Sequence, residues 1–500
     1  MPIDARLAAL RRSVAAPLPH PGVDELRASA GAIQEWALQH YESLPDQSIG
    51  LTASPQVMGK ALHRPPPKEG RPFADVLADF RQHIEPFAFR VNHPKFMAFI
   101  PGAPCFPAIL GDWLAAAANF FAGVWLEAAG PSQVETTVLA WFREWLDMPA
   151  STRGMLTSGG SEANLTALVV ARERVPFADR SRIVLYVAEQ RHWSVDRGAK
   201  VIGLHPEQVR AAPVDGEFRL RGSLLAELVD RDRVNGLVPW AVVANGGATN
   251  TGTVDNLAEI AAVCQKEELW LHIDAAYGWV GLLVEQGREE LAGIELADSI
   301  TLDPHKWLAQ TFDVGCLLVR DGQRLPEAFA MRPDYLQDVV PGEDEVNYAD
   351  CGIALTRRFR ALKIWLSLQM LGLDWFKQLA QHGIALAEYA QARLESTGVF
   401  DILSPRRLSI VCFRYDPPDC RCDLDVLNSR LANALRETGK AFLSSTRLRG
   451  AFALRMCFIN WRTSADDVDA VIDILIRLGT DLANRPVESN VPTVPAKDAR

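Results

Sequence analysis

Leu269-Trp270-Leu271-His272-Ile273-Asp274-Ala275-Ala276-Tyr277 runs almost wholly apolar for five residues, then turns to a carboxylate followed by two small side chains. A continuous run of this kind suits a strand covered on both faces, the setting of a central strand in a parallel sheet. Similar runs lie at 183–187, 238–244, 299–302 and 315–319, separated by helical stretches between about residues 92 and 373. This alternation predicts a largely parallel sheet with helices on either side. Ligands of such sheets gather at the carboxyl ends of the strands. Asp274, Thr249 and Lys306 all follow such ends, as a shared site demands.

At 500 residues the chain exceeds the usual size of one domain, so one large domain with smaller flanking ones is expected. A formal charge of −10, not blocked into tails, gives no electrostatic case for nucleic acid or an anionic membrane as partner. The first residues are charged early and lack the apolar stretch of a secretory signal, which points to the cytoplasm. Residues 96–126 carry Asp112 as their only charge, but Pro101, Pro104 and Pro107 break the run, so a buried cleft or subunit interface is expected there. The eight cysteines are scattered and read mainly as small hydrophobes. Cys420 and Cys422 are close, but without a second pair or a nearby histidine they make no zinc site, and no metal is expected.

Apolar positions at helical spacing (Leu26, Ala30, Ile33, Trp36, Ala37, Tyr41) predict a helix over 23–44, with Pro65-Pro66-Pro67-Lys68-Glu69-Gly70 as a stiff linker after it. Leu355, Phe359, Leu362 and Leu366 predict one long helix that includes Arg357, Arg358, Arg360 and Lys363 and leads into a smaller C-terminal domain. There, 408–414 and 452–458 read as strands and 464–478 as a closing helix. The expected boundaries are 1–90 for an N-terminal helical arm, 91–373 for the large domain, 374–483 for the small α+β domain and 484–500 for a disordered tail.

Asp303-Pro304-His305-Lys306-Trp307 supplies the chemistry. A lone lysine is most often solvated, but apolar Ile300, Leu302, Trp307 and Leu308 surround this one and favour a nucleophilic amine. Asp274, ending an apolar strand, needs a partner if buried; a helix N-cap is one reading and a pyridinium N–H the other. Ala275 and Ala276 beside it leave room for a flat ring, so the pair Lys306 and Asp274 points to pyridoxal phosphate. Thr157-Ser158-Gly159-Gly160-Ser161-Glu162-Ala163-Asn164 opens a helical run over 165–174, where backbone N–H groups and a helix start suit a phosphate. Gly246-Gly247-Ala248-Thr249-Asn250-Thr251-Gly252 is a weaker signal and reads equally as a turn. His192 follows the strand at 183–187; it is either a structural histidine or one that stacks on the cofactor and handles protons.

With Gly-Gly-Ser-Glu-Ala-Asn at 159–164, His192, the motif at 272–277 and Asp-Pro-His-Lys-Trp in this order, the chain resembles the pyridoxal phosphate-dependent group II amino acid decarboxylases, especially the aromatic L-amino acid decarboxylases. Asn92-His93-Pro94-Lys95-Phe96, Val134-Glu135 and Arg357-Arg358-Phe359-Arg360-Ala361-Leu362-Lys363 extend the likeness over nearly the whole chain. The resemblance implies a type I aminotransferase-like fold in which two subunits build each active site. It makes Lys306 the Schiff-base lysine, Asp274 the pyridinium partner, His192 the ring-stacking residue and Ala276 the contact on the other face. Gly160, Ser161 and His305 match phosphate-binding positions, Asp303 a neighbouring cofactor position and Thr249 a residue near the ring. Phe99, Ile100, Pro101 and Phe121 match the side-chain pocket of the substrate, an amino acid.

Met331-Arg332-Pro333-Asp334-Tyr335-Leu336 matches the start of the family's mobile catalytic loop, in which a tyrosine delivers the proton to Cα. Relatives that make aldehydes with oxygen often carry phenylalanine there, so Tyr335 implies simple decarboxylation, with oxidative aldehyde synthesis as the alternative. Asp303 stands where the animal enzymes carry asparagine, placing an acid near the phosphate, and Gly123 replaces an aromatic pocket residue. A nucleotide-binding oxidoreductase is remote, because 246–252 lacks the Gly-x-Gly-x-x-Gly spacing. Intact Lys306, Asp274, His192 and Tyr335 speak against a non-catalytic binding protein.

Overall fold

The computed structural model describes residues 3–331, 333–418 and 420–484; Arg332, the side chain of Tyr335 and most of the expected tail lie outside the described residues. The chain divides into two compact units, Met1–Phe89 and Arg90–Arg500. The first is helical. Its longest helix, Val23–Ser43, ends where Pro45 removes an N–H, and Ser54 caps Pro55–Leu62 by accepting from the Val57 amide. Within this unit Trp36 stacks on His40 and meets the edge of Phe80.

The second unit holds two sheets. The larger has seven strands: β1 (Arg153–Thr157), β2 (Ile183–Ala188), β3 (Val209–Ala212), β4 (Val238–Asn245), β5 (Trp270–Asp274), β6 (Ser299–Leu302) and β7 (Gly315–Val319). They are ordered β1-β7-β6-β5-β4-β2-β3. Strands β3, β2, β4, β5 and β6 pair in parallel, and β2, β5, β6 and β7 are buried at every residue. The sheet is largely parallel, as expected; the exception is β7, which runs antiparallel to both neighbours. The short loop between β6 and β7 contains no crossover helix, and a strand can return beside its predecessor without one only by reversing direction. A reversed β7 begins at the same edge where β1 ends, and Gly315 lets it approach: a Cβ there would lie 2.5 Å from the Gly159 backbone.

The expected long helix through Arg357 does not form. Residues 355–360 are irregular and the helix starts at Ala361 (Ala361–Leu371), followed after Gly372 by Leu373–Ser396. Tertiary demand overrides the apolar stripe. Arg357 leaves the surface and pairs with Glu135, both side chains fully buried, while also donating to the Leu156 carbonyl; Glu135 in turn accepts from the Leu156 amide.

The second sheet, β10-β11-β9-β8, is antiparallel: β8 (Phe400–Ile402), β9 (Ile410–Tyr415), β10 (Ser444–Leu448) and β11 (Ala451–Cys457). Its strands alternate. Ile410, Cys412 and Cys457 join the core of the large sheet, whereas Val411, Phe413, Leu454 and Met456 face a second core built with helices Leu373–Ser396, Leu424–Glu437 and Ala465–Ala483. The closing helix carries the expected start, with Ser464 and Asp467 forming a reciprocal cap. Cys420 and Cys422 are joined by a disulfide, and the other six cysteines are free and buried. No helix among the described residues is long and apolar enough to cross a membrane.

Candidate active site

Loops leaving one edge of the large sheet converge on a cavity of about 310 Å³. After β1 come Ser158, Gly159, Gly160 and Ser161; after β2, His192 and Ser194; from the end of β4, Asn245, Gly247 and Thr249; from β5, Asp274, Ala276 and Tyr277; after β6, Asp303, His305 and Lys306. The residues expected to meet a cofactor therefore share one wall. Phe99, Ile100, Pro101 and Phe121 are not part of it. Phe99 is largely exposed, and its backbone is held by Ser444 and Arg455. Gly123 leaves no extra room: a Cβ there would meet the Leu355 carbonyl at 2.6 Å, so the glycine answers a backbone contact.

Lys306 is not surrounded only by apolar groups as expected. Its Nζ lies 3.0 Å from Asp303 Oδ2, and His305 Nε2 is 3.9 Å from the same oxygen. The Oδ1 of Asp303 is buried and has no hydrogen-bond partner. Burial pushes His305 below the ordinary histidine range, an effect the Asp303 charge opposes, and its Nδ1–H donates to the Val314 carbonyl at 2.6 Å. Burial likewise pushes His192 down, opposed by the Asp274 charge. Asp274 accepts from Asn164 Nδ2 at 2.8 Å and from the Ala276 amide at 3.2 Å, so it caps no helix.

Two contributions escape a reading of the sequence. His272, on the strand motif itself, is fully buried between Ser299 and Asn164. Arg455 is buried on β11, donates to the carbonyls of Phe99 and Asn250, and leaves Nη2 without a partner. A strand arginine in a distant segment carries no local signal; only the tertiary fold reveals it.

Burial holds His272 at a pKa of about 4. As pH falls, the unfolded chain takes up this proton near the ordinary histidine value while the folded chain resists. The stabilisation is therefore complete above about pH 6.5 and lost progressively toward pH 4. Urea midpoints measured across this range should fall with acid, and His272→Phe should flatten that part of the profile.

The cavity fits pyridoxal phosphate. The helix Gly160–Glu173 points its N-terminus at the cavity, and Gly160 keeps the approach open, since a Cβ there would sit 2.9 Å from Asp303 Oδ2 and 3.4 Å from the Ala276 methyl. Lys306 could hold the aldehyde carbon, and Asp274 retains lone pairs for a ring N–H. The ring could lie between His192 and Ala276, with the phosphate at Gly160, Ser161 and His305.

Such a lysine, acid and glycine cradle on this sheet define a pyridoxal phosphate enzyme of the type I aminotransferase-like fold. The pyridoxal-dependent decarboxylase conserved domain matches residues 55–416, and the chain belongs to that family of amino acid decarboxylases. The aromatic-L-amino-acid decarboxylase of Bacillus atrophaeus is 38% identical over 448 residues, covering 89% of this chain and 93% of that protein. The phenylacetaldehyde synthase of Arabidopsis thaliana is 29% identical over 86% of this chain and 91% of its own length. Among solved structures, Oryza sativa TDC with PLP and tryptamine superposes with a TM-score of 0.89 at 26% identity, covering 94% of this chain and all of that one.

Proposed function

We propose that the chain decarboxylates an aromatic L-amino acid to its amine, with Lys306 as the covalent anchor of the cofactor. The observation that carries the reading is that Lys306 and Asp274 face one glycine-cradled cavity. The aromatic substrate class follows the Bacillus atrophaeus relative. When bound, pyridoxal phosphate supplies an electron-accepting ring for the pair released from the Cα–carboxylate bond. Asp274 keeps a proton on the ring nitrogen, His192 and Ala276 hold the ring flat between them, and Thr249 borders it. Gly160, Ser161 and His305 receive the phosphate. Asp303 is the acid partner of the Lys306 amine.

Tyr335 Oη is the proton donor to Cα; its side chain lies outside the described residues, and the role follows from its place in the loop motif. Residues 91–373 and 374–483 form the large and small domains of a cytoplasmic enzyme, and 1–90 form the arm of a homodimer. Support for pairing comes from exposed Leu114, Phe120, Leu126, Phe312 and Ile353, and from Phe99, Ile100, Pro101 and Phe121, which find no place in their own chain's cavity wall and are read as lining the substrate pocket of the second copy.

Released carbon dioxide and amine are to be measured with a panel of L-amino acids: tryptophan, tyrosine, dopa, phenylalanine, histidine and glutamate. Turnover is expected with an aromatic member, and Tyr335→Phe is expected to keep cofactor while diverting product toward aldehyde, with peroxide and ammonia. An amine yield unchanged in that variant removes Tyr335 from the mechanism. Turnover of glutamate alone removes the aromatic reading.

A further inference from the structure

From the cavity wall inward runs a hydrogen-bonded chain whose direction the chemistry of its members decides. Trp270 Nε1 is 2.9 Å from Ser299 Oγ, and that oxygen is 2.8 Å from His272 Nδ1. His272 Nε2 is 3.0 Å from Asn164 Oδ1. Asn164 Nδ2 reaches both Asp274 Oδ2 at 2.8 Å and Ser194 Oγ at 2.9 Å, and Ser194 Oγ lies 2.7 Å from His192 Nδ1.

A carboxylate only accepts, so Asn164 turns its NH2 toward Asp274 and its carbonyl toward His272. His272 must then carry its proton on Nε2 and accept at Nδ1 from Ser299, whose oxygen accepts the indole N–H. The second hydrogen of the Asn164 amide goes to Ser194 Oγ, and the Ser194 hydroxyl proton goes on to His192 Nδ1. The backbone N–H of Ser194 points to the same ring nitrogen at 3.3 Å. Two donors on Nδ1 leave the His192 proton on Nε2.

We infer that Asn164 and Ser194 are positioning residues that lock Asp274 and His192 into one unit and set His192 so that its ring offers an Nε2–H donor, not a base, to the cavity. Asn164, Ser194 and His272 are all fully buried, an arrangement tolerated only because each finds its partners. The charges bearing on His192 are Asp274, Lys306 and Asp303, and its burial favours the neutral ring. The pyridine-nitrogen contact and the stacking ring thus cannot move independently.

The inference rests on the proposed function for its catalytic meaning, and its test separates the two. In holoenzyme labelled with 15N-histidine, the His192 resonance at neutral pH should be that of the Nε2–H tautomer. Ser194→Ala should give a mixture of tautomers and lower kcat about tenfold, the equivalent of one lost hydrogen bond. KM should stay within about threefold, as expected when a ground-state contact with substrate is not involved, and Ser194→Thr should restore both readouts. Asn164→Leu should additionally shift the pH at which the visible absorbance of the bound cofactor titrates.

An Nδ1–H tautomer in the unaltered enzyme overturns the inference, as does Ser194→Ala with unchanged tautomer and kcat. Should Asn164→Leu fail to fold, the Ser194 variants decide the matter alone. An unaltered chain that binds no pyridoxal phosphate would instead overturn the proposed function, while the tautomer would still be readable.

Discussion

Lys306→Ala is expected to abolish the pyridoxyl adduct trapped by borohydride at position 306 and to lower turnover by roughly four orders of magnitude or more, as removal of a nucleophile does. Cofactor should still bind without covalent attachment, because the glycine cradle, Asp274 and His192 remain. The substitution has a second consequence. Asp303, almost fully buried with one oxygen already unpartnered, loses the cation 3.0 Å from the other. Lys306→Arg separates the two effects: a guanidinium keeps a positive charge beside Asp303 and should retain stability, yet it forms no adduct. An alanine variant that retains the adduct, shown by peptide mass spectrometry, would end the assignment of Lys306.

Arg357→Met is expected to destabilise the enzyme by about 3–5 kcal/mol, because it strands the fully buried Glu135 carboxylate without its counter-charge. The pair is also where the core meets the active site. Glu135 and Arg357 hold the Leu156 amide and carbonyl, and Leu156 lies in β1 just before the Ser158–Gly160 turn. Weakened cofactor binding should accompany the lower melting temperature. The double variant Arg357→Met, Glu135→Met removes both charges and should recover most of the lost stability. If the single variant melts within a degree or two of the unaltered enzyme, the buried pair does not have the role described.

The central strands were legible because burial on both faces leaves an apolar run that polar interruptions cannot imitate. Strands β2, β4, β5, β6 and β7 lie within a residue or so of the predicted runs. The orientation of β7 was not legible, since an apolar pentapeptide has no sign of direction and only the missing crossover helix betrays it. The segment at 355–360 failed for another reason: its helical spacing is real, but a buried carboxylate 222 positions earlier claims Arg357. At the site, the motifs picked out residues that line one cavity, because loops at strand ends carry small and polar side chains of obvious chemistry. Asn164 and His272 stood inside those same motifs, and Ser194 two residues after His192, without a legible role. Their meaning lies in who faces whom across three separate elements.

The C-terminal sheet serves two cores at once, with alternate residues of β9 and β11 committed to opposite sides. Evolution or an engineer therefore cannot treat this end of the chain as a detachable cassette. Cutting it away would strip the lid from the neighbouring interior, and a shortened protein should emerge from the ribosome sticky and insoluble, not merely less active.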